Sequence, residues 1–171
     1  KCFQYYYQEM IRFDIASDFP KAVSYKHFLS LIPRCLNHLF LFRKWQSSQI
    51  QKGDAFYIDS KRLPVCHNRR IKSNRVFKGV AQHGKSSTGW FYGLKIHLVI
   101  NNLGQIASFE LSSGNVADNN TDLLKSIFKD LKGNCYGDKG YITSIFEELY
   151  GQGIRLISKI RKNMKNQLID L

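Results

Sequence analysis

Hydrophobic and polar positions change rhythm along this chain. The first fifty residues read as helical: Gln4 to Phe13 is aromatic and lacks strand alternation. After a turn at Asp18-Phe19-Pro20, Ser24 is placed to cap a helix carrying Phe28, Leu29, Leu31, Ile32, Leu36, Leu39 and Phe40. Pro33 falls inside that run, which predicts a kink or two helices instead of one. Gln46 to Gly53 is polar and reads as a linker. From Ala55 to Asp59 the period becomes two, with Phe56 and Ile58 on one face and Tyr57 and Asp59 on the other. A basic loop region follows, with turns at Gly79, Gly84 and Gly89.

Alternation returns from Gly93 to Asn101, where Leu94, Ile96, Leu98 and Ile100 alternate with Lys95, His97 and Val99. Asn102-Leu103-Gly104 is a tight turn, and Gln105 to Leu111 is the hairpin partner. Leu123, Leu124, Ile127, Phe128 and Leu131 form the apolar stripe of a helix. Asn134 to Asp138 is the next strand, Ser144 and Glu147 have capping-box spacing for a short helix, and Ile154 to Ile160 is a final strand. The expectation is an α/β fold: a mixed sheet with helices on both faces, over residues 54–171, preceded by a helical region over 1–50 that packs on the main domain or contacts DNA.

At 171 residues, 43% hydrophobic and 13% aromatic, the chain has material for one real core and is not a disordered polymer. The net charge of +13 concerns partners: it favours nucleic acid over an anionic membrane surface. No apolar run is long enough to span a bilayer and no signal peptide opens the sequence, so a cytoplasmic, nucleoid-associated protein is expected. Starting on Lys1 and stopping on Leu171, the sequence reads as a fragment of something longer. Cys35-x-x-His38 and Cys66-His67 supply zinc-binding atoms, but adjacent side chains rarely share one tetrahedral ion; reduced buried thiols are the favoured reading of the four cysteines.

Acids are scarce, which singles out two of them. Between Ser60 and Phe109 there are nine Lys or Arg and no Asp or Glu, yet Asp59 ends one strand and Asp138 another. Isolated carboxylates at strand ends in a positive field suit a Mg²⁺ or Mn²⁺ site for a polyanion. Two ions about 3.5–4 Å apart can serve the attacking and leaving oxygens of a phosphodiester. The bland alternative is a pair of solvated strand-end aspartates.

Five stretches change that balance: Tyr57-Ile58-Asp59-Ser60-Lys61-Arg62-Leu63-Pro64-Val65-Cys66, Phe77-Lys78-Gly79, Ser87 through His97, Gly114-Asn115-Val116-Ala117-Asp118, and Gly137-Asp138-Lys139-Gly140-Tyr141. In this order they resemble the DDE transposases of bacterial insertion sequences, over about Tyr57 to Asn166. The resemblance implies a ribonuclease H-like fold and metal-dependent hydrolysis and strand transfer at element ends. It further implies DNA as partner, bound as a homodimer, with Asp59 and Asp138 as the first two catalytic, metal-holding carboxylates. The family's third carboxylate is a Glu on a helix after the last strand. Glu147 and Glu148 sit too early and Asp170 lacks the helical context, so an incomplete triad is expected. The rivals are an inactive truncated copy that only binds DNA, and a ribonuclease H-like nuclease.

Arg69, Arg70, Lys72, Arg75, Lys78, Lys139, Arg161 and Lys162 are the expected phosphate contacts, with solvated loop charges as the alternative. Lys95 is a weaker candidate. Asp118 is expected to cap the following helix and His97 to be an ordinary sheet-face residue. Trp90, Phe91 and Tyr92 either stack on an unpaired base or pack in the core, with packing slightly preferred.

Overall fold

The computed structural model describes residues 3–18, 21–50, 55–86 and 88–158. The chain forms two compact units, residues 1–45 and 46–171. In the first, helix α1 (Phe3–Tyr6) runs into π-helical turns over Tyr7–Asp14, and helix α2 covers Tyr25–Ser48. Tyr7 and Ile11 are its buried residues. The Tyr7 ring packs 5.6 Å from Tyr25 and 5.0 Å from Phe28, and its hydroxyl donates to the Val23 carbonyl. Ser24 caps α2 as expected, its Oγ accepting from the His27 amide at 3.3 Å. A kink or two helices were expected around Pro33; the chain does not split into two helices there, and α2 is one helix with Pro33 inside it. A proline there forfeits a single bond, to the carbonyl four residues back, and leaves the turns on either side intact. The helix also extends to Ser48, into the stretch read as a linker.

Among the described residues the second unit forms a six-stranded mixed sheet: β1 (Ala55–Cys66), β2 (Gln82–Ser86), β3 (Gly89–Asn101), β4 (Ile106–Ser113), β5 (Gly133–Gly137) and β6 (Ile154–Ser158). β1 pairs antiparallel with β3 and parallel with β5, and β5 parallel with β6. β4 and β2 lie end to end along the other edge of β3, β4 against Leu94–Ile100 and β2 against Gly89–Gly93. The strand order β4-β3-β1-β5-β6 gives the α/β mixed sheet expected of a ribonuclease H-like protein. Helices α3 (Thr121–Phe128) and α4 (Phe146–Gly151) pack with the Phe56 and Ile58 face. That core adds Val99, Cys135, Ile154 and Leu156 from the strands to Leu123, Leu124, Ile127, Phe128 and Leu149 from the helices.

Three strands differ from expectation. β1 continues through the basic stretch to Cys66, β3 starts at Gly89 instead of Gly93, and β2, with Gly84 inside it where a turn was expected, carries no large apolar residue. β5 covers only Ala55–Tyr57 of β1, so the Leu63–Cys66 end pairs with β3 alone; an open edge tolerates Pro64, which donates nothing to a ladder. Gly84 lets β2 pass the Gly114 carbonyl and the Phe91 ring, where a Cβ would come within 2.2 Å and 2.6 Å. The capping box is also corrected: Ile145 occupies the N-cap of α4 and no side chain caps it. Among the cysteines Cys135 is buried and burial pushes its thiol up to about 12, but Cys35 is exposed and Cys66 half-buried, contrary to the expected set of buried thiols. No helix among the described residues is long and apolar enough to cross a membrane.

Candidate active site

The parallel register of β1 and β5 sets the geometry. Tyr57 faces Tyr136, their rings stacked 5.7 Å apart, and two residues further along each strand stand Asp59 and Asp138. Alternation places Asp59 on the sheet face opposite the helices, and Asp138 directly follows the last residue of β5, whose axis lies roughly 4.8 Å from that of β1. Asp59 was expected to end its strand; it lies inside β1, which runs on to Cys66. Tyr57, Ile58, Asp59, Tyr136, Gly137, Asp138 and Lys139 line an open cleft of about 630 Å³. A smaller hollow of about 480 Å³ lies at the far end of β5, beside Gly133 and Gly153, and holds no carboxylate.

Each aspartate is oriented by the backbone next to it. Asp59 Oδ1 accepts from the Ser60 amide at 2.8 Å, and Asp138 Oδ1 from the Gly140 amide at 2.7 Å. The second oxygen of each has no partner among the described residues. The sequence Gly137-Asp138-Lys139-Gly140-Tyr141 is thereby explained in steric terms. A Cβ at Gly137 would stand 3.0 Å from Ile58 Cγ2 and 3.2 Å from the Tyr141 ring; a Cβ at Gly140 would stand 2.8 Å from the Asp138 Oδ1 that its own amide binds. Glycine at both positions lets the turn close on β1.

Tyr141 is the residue that sequence reasoning missed. Its ring is 1% exposed, and its hydroxyl is buried without a well-formed hydrogen bond, although the Ser60 side chain lies close enough to act on it. Burial raises its pKa, and Asp118, Asp59 and Asp138 raise it further, so the phenol keeps its proton. Its place in the aspartate motif was the available signal.

Asp118 does not cap α3. Asn120 does, accepting from the Leu123 amide at 3.0 Å. Asp118 instead takes the Lys95 ammonium at 3.1 Å, while Lys95 also donates to the Val116 carbonyl at 2.7 Å. Lys95 is therefore engaged and is not a free phosphate ligand. His97 is fully buried on the helix-facing side, its Nε2 2.9 Å from Ser112 Oγ and its Nδ1 3.8 Å from Asp118. Burial lowers its pKa, outweighing the pull of Asp118, and the ring stays neutral near pH 7.

Arg69, Arg70 and Lys72 ride on a 3₁₀ turn (Asn68–Ser73), which His67 caps through its ring nitrogen; they, Arg75, Lys78 and Lys139 are all exposed. Arg161 and Lys162 lie outside the described residues. Glu148 pairs with Lys125 at 2.9 Å, away from the cleft. Among the described residues no group of three His, Cys, Asp or Glu is close enough to hold a metal ion.

No curated protein sequence is detectably similar. A piggyBac transposase, solved as a synaptic complex with hairpin DNA, shares the fold at a TM-score of 0.50 and 14% identity, over 77% of this chain and 28% of that one. The chain thus spans little more than a quarter of that protein's length. Residues 49–171 match the model of the transposase DDE domain, well over half of the sequence, and the chain belongs to that family.

Proposed function

We propose that this chain is the catalytic domain, or part of it, of a transposase that moves an insertion sequence by phosphodiester hydrolysis and strand transfer at the element's ends. The observation behind this reading is the Asp59–Asp138 pair: one carboxylate on β1 and one directly after the parallel neighbour β5, each with one oxygen tied to a backbone amide and both lining one cleft. These are hard oxygen donors, which fit Mg²⁺ or Mn²⁺. A two-metal centre held there would supply an activated nucleophile and neutralise charge on the leaving oxygen.

The chain's own residues then divide the work. The Ser60 and Gly140 amides fix the carboxylates before DNA arrives, and the turn glycines leave room for that arrangement. Exposed Lys139 follows Asp138 directly and lines the same cleft, where it can meet a phosphate. Arg69, Arg70, Lys72, Arg75 and Lys78 take more distant phosphates, a role that demands charge without sequence readout. DNA as partner is supported by the +13 charge and by the hairpin DNA in the piggyBac complex; binding as a homodimer belongs to the same proposal.

A second reading is an inactive DNA-binding module. It is favoured by one observation: no third acid joins Asp59 and Asp138 among the described residues. Nicking of a labelled duplex carrying the element's ends, in Mn²⁺, separates the two. Nicking abolished by Asp138→Ala supports the transposase; salt-sensitive binding without nicking supports the module.

A further inference from the structure

The run Trp90-Phe91-Tyr92 is split by the fold. Phe91 and Tyr92 are 4% and 8% exposed, but Trp90 is 62% exposed. It stands on the ribbon formed by β2 and the start of β3, where its strand partner is Lys85. The Lys85 ammonium lies 5.7 Å from the indole centroid, and no other ring or cation contacts the indole among the described residues. Hydrogen bonds tie this ribbon to the basic segment. Arg62 Nη1 donates to Ser86 Oγ at 2.9 Å, and Asn68 Nδ2 donates to the Trp90 carbonyl at 3.1 Å. Asn68 opens the 3₁₀ turn that carries Arg69 and Arg70.

An exposed indole gains nothing from water, and this one carries the Lys85 ammonium beside its ring in a stretch without a single acid from Ser60 to Phe109. That combination, a flat apolar π face with a positive rim, complements a flat ring attached to a phosphate backbone. In a duplex the base faces are hidden in the stack; only an unpaired base offers one. We propose that Trp90 stacks on an unpaired nucleobase of DNA, with Lys85, Arg62, Arg69 and Arg70 on the flanking phosphates. The assignment rests on the reading of the chain as a DNA transposase, and it names a second contact on that substrate. Leu98 is the strand partner of Asp59, and Trp90 lies eight residues from it along β3, at most roughly 26 Å at the rise of an extended strand.

The sequence has two tryptophans, so Trp45→Phe makes Trp90 the sole tryptophan, read by excitation at the red edge where tyrosine does not absorb. That protein is titrated with a single strand of about twenty nucleotides, longer than typical single-strand sites, and with a blunt duplex of equal length. The expected result is strong quenching by the single strand and little by the duplex. In the otherwise native chain, Trp90→Ala should weaken single-strand binding roughly tenfold, in line with base-stacking losses. Duplex binding should stay within about twofold, and Trp90→Phe should recover most of the lost single-strand affinity. Equal quenching by both DNAs would assign Trp90 to a duplex groove and overturn the proposal. Unquenched emission with unchanged affinity would overturn it while leaving the transposase reading in place. Failure to bind either DNA would overturn both.

Discussion

Asp59 and Asp138 each have one oxygen held by an adjacent amide and one left open. Asp59→Asn or Asp138→Asn keeps the shape and the amide contact but removes a charge. Calorimetric titration with Mn²⁺ should therefore show weakened binding at an unchanged melting temperature, and an unchanged isotherm would sink the site assignment. Glycines give a second test. A Cβ at Gly93 meets the Leu63 carbonyl at 2.2 Å and the Pro64 Cα at 2.9 Å, both backbone, while a Cβ at Gly140 meets the Asp138 carboxylate, a side chain that can turn away. Gly93→Ala should cost about 3 kcal/mol, at the upper end of overpacking. Gly140→Ala should cost less stability and more Mn²⁺ affinity. Equal stability losses in urea melts would contradict this. His97 makes stability depend on pH. Its folded pKa lies below 6.5, so beneath that value the unfolded chain binds the proton first and stability falls as pH drops. Urea midpoints at pH 7.5 and 5.5 should diverge for the native chain and converge for His97→Gln.

At the level of elements, the strands that build the site were legible and those that extend it were not. Phe56, Ile58 and their neighbours alternate cleanly because one face of β1 meets a core and the other does not. The second half of β1 looks like a loop because it is basic and contains Pro64. It is a strand because β3 alone holds it, and an edge imposes no apolar pattern. β2 has no hydrophobic signal at all; backbone pairing and the glycine at position 84 hold it in place. Asp118 looked like a helix cap three residues from the start of α3, and only the fold reveals the Lys95 partner twenty-three residues away. The 3₁₀ turn with Arg69 and Arg70 is stabilised by its own hydrogen bonds, so neutralising both arginines should leave the fold intact. Binding to all DNA sequences should weaken alike in an anisotropy titration, and a loss confined to one sequence would contradict a phosphate role.

For the whole molecule the dominant quantity is charge. A surplus of +13 means that DNA affinity should fall steeply with salt, and the log–log slope should shrink by about two when Arg69 and Arg70 are neutralised. A flat salt dependence would remove nucleic acid as the partner. The parallel pairing of β1 with β5 also has a consequence for the timing of assembly. β1, β3 and β4 are antiparallel neighbours joined within one stretch of chain, and such local pairing forms early. Asp138 follows Asp59 by seventy-nine residues and reaches it only when β5 docks beside β1. A chain still emerging from the ribosome, or one whose synthesis stops before β5, therefore displays a solitary aspartate in a basic shell. Under the proposed function such a chain has only one of the two carboxylates in place, so the pair that would hold the metal forms only once β5 has been made.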